Sequence, residues 1–161
     1  TVASRPGVAC RMKWDPDLPV EVNARRRLPK LLARFYAAGR EVLAHEDPGT
    51  LHQFRLRGKR VRYSLELFRP VYGPKLEKLL KRLRRAQNAL GEINDCATAR
   101  LIVPHSSEFH AWLDERQATL HGEFVRYWLD DFDAPGEENN WIRYLARYAR
   151  APRQPHFSSK K

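Results

Sequence analysis

Residues 51–68 read LHQFRLRGKRVRYSLELF. At 100° per residue, Phe54, Val61, Leu65 and Phe68 fall within about 60° of one another, the core face of an amphipathic helix. His52, Arg55, Lys59, Arg62 and Glu66 fall within about 80° on a separate face, so four basic side chains line up along roughly 15 Å of helix. A row of Lys and Arg is most often a solvated face, and such faces usually alternate signs to gain i,i+4 pairs. This one is nearly unmixed, with Glu66 its one acid.

The flanking sequence frames this helix on both sides. The EDPGT cluster, Glu46–Thr50, reads as a loop, with Thr50 as N-cap, and the helix is expected to run to about Val71. Tyr72-Gly73-Pro74 is a turn. A long helix is predicted from about Lys75 to Ile102, stopped by Pro104, with an apolar face of Leu76, Leu79, Leu80, Leu83, Leu90 and Ile93. Upstream, KWDPDLP (13–19) is turn-like: Asp17 is a candidate cap and Pro19 suits a first helical turn. Leu28, Leu31, Leu32, Phe35, Val42 and Leu43 then come at helical spacing, with a kink or a second start at Pro29. Downstream, Ser106 or Ser107 can cap a helix carrying Phe109, Trp112, Leu113, Leu120, Phe124 and Tyr127. The loop Asp133–Asn140 ends it, and Trp141–Tyr148 form a short last helix. No stretch alternates as a strand does. The expectation is an all-α antiparallel bundle of four long helices plus a short C-terminal helix. Residues 1–12 read as a disordered extension, 13–150 as one helical domain and 151–161 as a basic mobile tail. Met12 is the only Met, so residues 1–11 read as an upstream extension.

The second long helix repeats the charge pattern. Lys78, Lys81, Arg82 and Arg85 form a basic stripe beside its leucines, while Arg84 points to the far edge. Between Arg55 and Arg85 the only acids are Glu66 and Glu77. If the two helices pack antiparallel through their apolar faces, the stripes can flank one cationic groove. The whole chain agrees in sign: 161 residues carry a formal charge of +11 with a pI near 10.1. Polyanions are the natural partners of such a surface: nucleic acid, polyphosphate or anionic lipid. A groove of this kind suits a linear chain of phosphates, which Arg engages with a fork and Lys with a point charge. His52 can donate to a phosphate oxygen or bond locally at the helix N-terminus.

At this point the residues resemble a family. H-x-x-R-x-x-x-K-R-x-R-Y, running His52, Arg55, Lys59, Arg60, Arg62, Tyr63, followed by Glu66 and Phe68, is similar to the signature helix of CHAD domains, the conserved histidine α-helical domains. The segments Pro70–Gly73 and Leu80–Asp95 resemble that family's next helix and the turn before it. The likeness extends over about residues 18–130. The resemblance implies long helices in two four-helix repeats, basic residues lining a central pore, and binding of inorganic polyphosphate. The implied binding set here is His52, Arg55, Lys59, Arg60, Arg62, Lys78, Lys81, Arg82 and Arg85, with Tyr63 and Asp95 in support. One departure stands out. The family pattern has two motif helices and this chain has one, its first half offering only Asn23-Ala24-Arg25-Arg26-Arg27. That implies half of the two-repeat architecture, and a symmetric homodimer rebuilding the pore. Polyphosphate-metabolising enzymes are implied partners, and polyphosphate granules an implied location.

Other chemistry finds little support. Cys10 and Cys96 form neither a disulfide framework nor a metal spacing, which fits a reducing cytoplasm. No apolar run approaches a membrane span or a signal core. His105, His110 and His121 make no i,i+4 metal pair. There is no phosphate-cradling glycine loop, no nucleophile elbow and no acid pair poised for metal-assisted hydrolysis, so no catalytic residue, metal or cofactor is expected. Gly58 and Gly91 inside helices suggest close packing. Asp95 suggests a structural carboxylate that holds an Arg or His or caps a neighbour. Trp112, Tyr127, Trp128, Trp141, Tyr144 and Tyr148 suggest core packing. A basic nucleic-acid binder without a recognised motif, a phosphate-handling enzyme, or a scaffold for an acidic protein are the alternatives.

Overall fold

A computed structural model describes residues 14–44, 47–104 and 107–151. Its elements are α1 (Val20–Ala44), α2 (Pro48–Leu67), the short α3 (Arg69–Tyr72), α4 (Leu76–Ile102), α5 (Ser107–Tyr127), a π-helical turn (Trp128–Phe132) and α6 (Glu137–Arg147). There is no strand among the described residues. The expected all-α bundle of four long helices and a short C-terminal one is present. The expectations for residues 1–12, His105, Ser106 and the tail beyond Ala151 lie outside the described residues.

Local chemistry sets the helix ends, with some departures from expectation. α1 begins after Pro19, but Asp17 does not cap it. Asn23, fully buried, donates from its amide to the carbonyls of Asp15 and Leu18 and accepts from the Asp15 N–H, tying the incoming chain to the first turn. The helix then runs unbroken through Pro29, so Pro29 starts nothing new. At α2 the cap is Asp47, not Thr50. Its carboxylate accepts from the Thr50 N–H and hydroxyl, with Pro48 in the first turn, and these bonds hold the carboxyl below its usual range. α2 ends at Leu67 rather than the expected Val71, capped by Phe68, and the short α3 that follows is closed by Gly73, at φ 72°, where a side chain would be strained. α6 starts at Glu137, four residues before the expected Trp141, because the expected loop residues 137–140 are helical.

α6 packs on α1, α1 on α2, α2 on α4 and α4 on α5. The centre is aromatic. Phe35 stacks on Phe54 with centroids 4.7 Å apart, Trp128 stacks on Phe132 at 4.6 Å, and Phe35 meets both of those rings edge-on. The Trp128 ring lies so close to α1 that a Cβ at Gly39 would collide with its Cζ2. Two tyrosines lock α3 to α6 reciprocally: Tyr72 donates to the Leu145 carbonyl and Tyr144 to the Tyr72 carbonyl. Tyr127, Trp128, Trp141 and Tyr144 are core residues as expected. Trp112 and Tyr148 are not, being more than half exposed: Trp112 lies off the Leu113, Leu120 and Phe124 face of α5, and Tyr148 follows the last residue of α6.

The Gly39–Trp128 contact yields the first prediction. Gly39→Ala should lower stability by about 1–3 kcal/mol, since the indole is a rigid wall within the core. Chemical denaturation of the two proteins measures it; an Ala variant of equal or higher stability would contradict the packing described.

Candidate polyanion site

α2 and α4 run antiparallel, and side chains along their seam set the register. His52 Nδ1 lies 3.3 Å from Asn94 Oδ1. A Cβ on Gly58 would lie 3.7 Å from Gln87 Cγ and 3.3 Å from the Phe35 ring. Glu66 meets Arg84, and Arg69 meets Glu77. In this register Gly91 stands level with Arg55. The two glycines therefore play opposite parts. Gly58 permits close packing, as expected. Gly91 does not: a Cβ there would meet nothing within 4 Å, so it leaves the seam open beside Arg55.

The seam is uneven in charge along its length. At the end nearer the α3 turn, Arg62, Glu66, Arg84, Glu77 and Arg69 form a chain of alternating signs. Arg62 lies 3.7 Å from Glu66, Arg84 reaches both Glu66 and Glu77 at 3.4 and 2.9 Å, and Arg69 is 3.1 Å from Glu77. Those two carboxylates hold the Arg84 guanidinium above its usual range. Toward the α2 N-terminus the carboxylates stop. Arg55 and Lys59, both half-buried, have no ion pair among the described residues. Three donors along this seam are shielded from solvent without a hydrogen-bond acceptor: Arg55 Nε, Arg62 Nε and Gln87 Nε2. An unmatched buried donor costs roughly 1–3 kcal/mol, and donors to a charged acceptor recover more than a neutral bond does. His52 completes this end. Its Nδ1 lies within hydrogen-bond reach of the Asn94 amide oxygen, which accepts from it in the tautomer that carries the proton there.

The second expected stripe goes elsewhere. Lys78, Lys81, Arg82 and Arg85 lie on the flank of α4 away from α2, toward α5 and the π-helical turn, so the two stripes do not share a groove. Arg82 donates to the carbonyls of Asp131 and Phe132 and pairs with Glu137 at 2.6 Å. Arg85 pairs with Asp131 at 3.2 Å and lies over the Tyr127 ring at 4.2 Å. Tyr127 donates to the Arg82 carbonyl, and burial pushes its hydroxyl up to about 12. A shallow cleft of about 410 Å³ runs along this flank, but Glu92 and Glu123 line it together with Lys81 and Arg85. Its mixed sign suits a packed joint better than a phosphate track. Counting acids along the sequence missed these carboxylates because they come from α4's far end, α5, the π-helical turn and α6.

Three further site residues also move. Arg60 lies nearly opposite Arg55 and Arg62 around α2 and does not face this seam. Asp95 is exposed and holds neither an Arg nor a His among the described residues; its neighbour Asn94 lies 3.3 Å from His52. Tyr63 is exposed, with the Arg62 guanidinium 4.7 Å from its ring centre. Gln87, Gly91 and Asn94 were missed as site residues. The signal was present, since Arg84, Gln87, Gly91 and Asn94 recur at i, i+3, i+7 and i+10 along α4's other edge.

The family model for the CHAD domain matches residues 8–104, which hold α1 to α4 and every residue of this seam. The chain belongs to the CHAD domain family. CHAD domains are associated with polyphosphate binding and are generally binding modules. No curated protein and no solved structure matches the chain. Among the described residues no group of three His, Cys, Asp or Glu is placed to hold a metal, and no helix is long and apolar enough to cross a membrane.

The division between the two flanks of α4 is testable. Arg82→Gln should lower stability by about 2 kcal/mol, through the loss of a charged donor to two carbonyls and a carboxylate. Arg55→Gln should leave stability within about 0.5 kcal/mol or raise it, because it removes an unpaired cation. Thermal unfolding of both variants checks this, and the reverse order would overturn the assignment of Arg82 to the fold.

Proposed function

We propose that this CHAD domain binds inorganic polyphosphate along the α2–α4 seam, without catalysis, as a binding or targeting module. One observation carries the reading. Arg55 Nε, Arg62 Nε and Gln87 Nε2 are shielded donors with no acceptor, set on one seam whose cations Arg55 and Lys59 have no carboxylate. A phosphate chain supplies acceptors and negative charge together. Arg55, Lys59 and Arg62 engage phosphate oxygens, and His52, steadied by Asn94, adds a donor when both its nitrogens are protonated. Gly91 keeps the opposite wall low enough for the chain to reach Arg55. Helical mounting fixes the backbone that carries these donors, and most of the driving force is counterion release. Lys78 and Lys81 sit on α4's other flank and contribute long-range attraction rather than contacts.

Binding of polyphosphate to three proteins, followed by anisotropy, tests the seam. Arg55→Gln/Lys59→Gln should weaken binding at least about tenfold and flatten its salt dependence by roughly two counterions. Gly91→Leu changes no charge, and its Cβ meets nothing within 4 Å. It should weaken binding several-fold while stability holds or rises by about 1 kcal/mol, from the helix preference of Leu over Gly. If Gly91→Leu binds as the native protein does, the ligand does not lie in this seam. Short DNA at equal phosphate that competes as well as polyphosphate would favour the nucleic-acid alternative.

The quaternary form that goes with this reading is a homodimer. Leu56, Tyr63 and Leu67 form an exposed ridge on the outer side of α2, with Leu67 75% exposed. Two such basic faces repel until a polyanion lies between them. Light scattering should give one chain's mass for the free protein and two on adding polyphosphate. A one-chain mass under tight binding would remove the dimer and leave the seam intact. A reducing cytoplasm, beside polyphosphate and the enzymes that handle it, is the setting implied.

A further inference from the structure

α2 has a second basic flank. Glu66 and Arg69 meet α4, so the flank carrying Arg55, Arg62 and Glu66 is the α4 side. Arg57, Arg60 and Ser64 lie on the other side of the core face, which is where α1 packs. α1 has two flanks as well. Arg25, Tyr36 and Arg40 reach the Ala149 carbonyl, the Phe132 carbonyl and the carboxylates of Asp133 and Glu138, so that side faces the π-helical turn and α6. Arg27, Lys30 and Arg34 therefore lie on the flank turned to α2. The Phe35 contacts with Phe54 and Gly58 fix the level of the two helices. They place Arg34 level with Arg57, Lys30 level with the turn holding Arg60, and Arg27 level with Ser64.

The result is a seam of five cations, Arg27, Lys30, Arg34, Arg57 and Arg60, none with an ion pair among the described residues. Four are exposed, and the fifth, Arg27, is half-buried with its Nε shielded and without an acceptor. The one carboxylate of α1 or α2 on this flank is Glu41, two turns beyond Arg34, or about 10 Å along the axis. Arg40, Arg82, Arg84, Arg85, Arg100 and Arg116 each hold a carboxylate, whereas Arg126, Arg143, Arg147 and Arg150, likewise without an ion pair among the described residues, are divided between α5, α6 and the residues after it. The α1–α2 seam is thus a place where cations gather, one donor is left unmatched, and no carboxylate among the described residues pairs with them.

We propose that the α1–α2 seam is a second phosphate-binding face, so that a long polyphosphate chain engages α2 from both flanks. This rests on the polyphosphate reading of the α2–α4 seam and extends it. A short chain occupies one seam. A long chain crosses the outer ridge of α2 and fills both, which makes affinity rise with chain length through effective concentration alone.

The test uses the full chain, short and long polyphosphate, and two variants of equal net charge. One is Lys30→Gln/Arg34→Gln/Arg57→Gln/Arg60→Gln. The other, Arg126→Gln/Arg143→Gln/Arg147→Gln/Arg150→Gln, removes four exposed cations from α5, α6 and the residues after it. The first variant should lose at least about tenfold in affinity for long chains and about three counterions of salt dependence, while its tightest binding of short chains stays within about twofold. The second should lose no more than about threefold with either ligand. Equal losses in the two variants would mean that bulk charge alone is read, and no loss of long-chain affinity in the first would mean the seam is idle; both overturn the proposal. A native protein that binds neither ligand would overturn the polyphosphate reading itself, a result that these variants cannot imitate.

Discussion

The contact of Trp128 with the bare backbone at Gly39 is the constraint on which the rest of the arrangement depends. The indole occupies the space a side chain on α1 would take, and it stacks on Phe132 while Phe35 and Phe54 meet it edge-on. Placing so large a ring there requires the chain to turn inward after α5, and the π-helical turn does this. The same turn puts the carbonyls of Asp131 and Phe132 over Arg82 and the Asp133 carboxylate against Arg40. One packing decision thereby assigns the basic flank of α4 and one flank of α1 to structural pairing.

What remains unpaired is then determined by topology. α2 packs between α1 and α4 and meets the π-helical turn through the apolar Phe54–Trp128 contact, while Asp131, Asp133, Glu137 and Glu138, on or between the π-helical turn and α6, pair with arginines of α1 and α4. Its own acid, Glu66, neutralises the end near α3 with help from Glu77. The half of α2 nearer its N-terminus therefore keeps its charge on both sides. Unmatched cations and shielded donors hold stability below what an apolar or paired seam would allow. That is an arrangement suited to an anionic partner that restores the balance on binding.

The helices were legible because their apolar spacing is strong and their loops carry Pro and Gly. The caps were less so. Thr50 and Asp47 are both good N-cap residues, and only the path of the chain shows that Asp47 takes the role while Thr50 donates to it. On α2, the His52, Arg55, Lys59 and Arg62 stripe was readable because all four belong to one helix and the 100° rule suffices. On α4 the same rule found a genuine basic stripe and assigned it to the wrong groove. Periodicity says which residues share a face, but not which neighbour that face meets.

Gly58 and Gly91 show why the residue type alone could not decide the site. Both interrupt helices at a similar cost in propensity, and in sequence they look alike. Phe35 fills the space over Gly58, so that cost is offset by an aromatic contact that also fixes the level of α1 against α2. Nothing fills the space over Gly91, so within the fold its cost is not offset by packing. Gly122 in α5 is open in the same way, so what sets Gly91 apart is its position on the seam. Its place, level with Arg55 and between Gln87 and Asn94, is where a ligand reaching the shielded donors of α2 would pass.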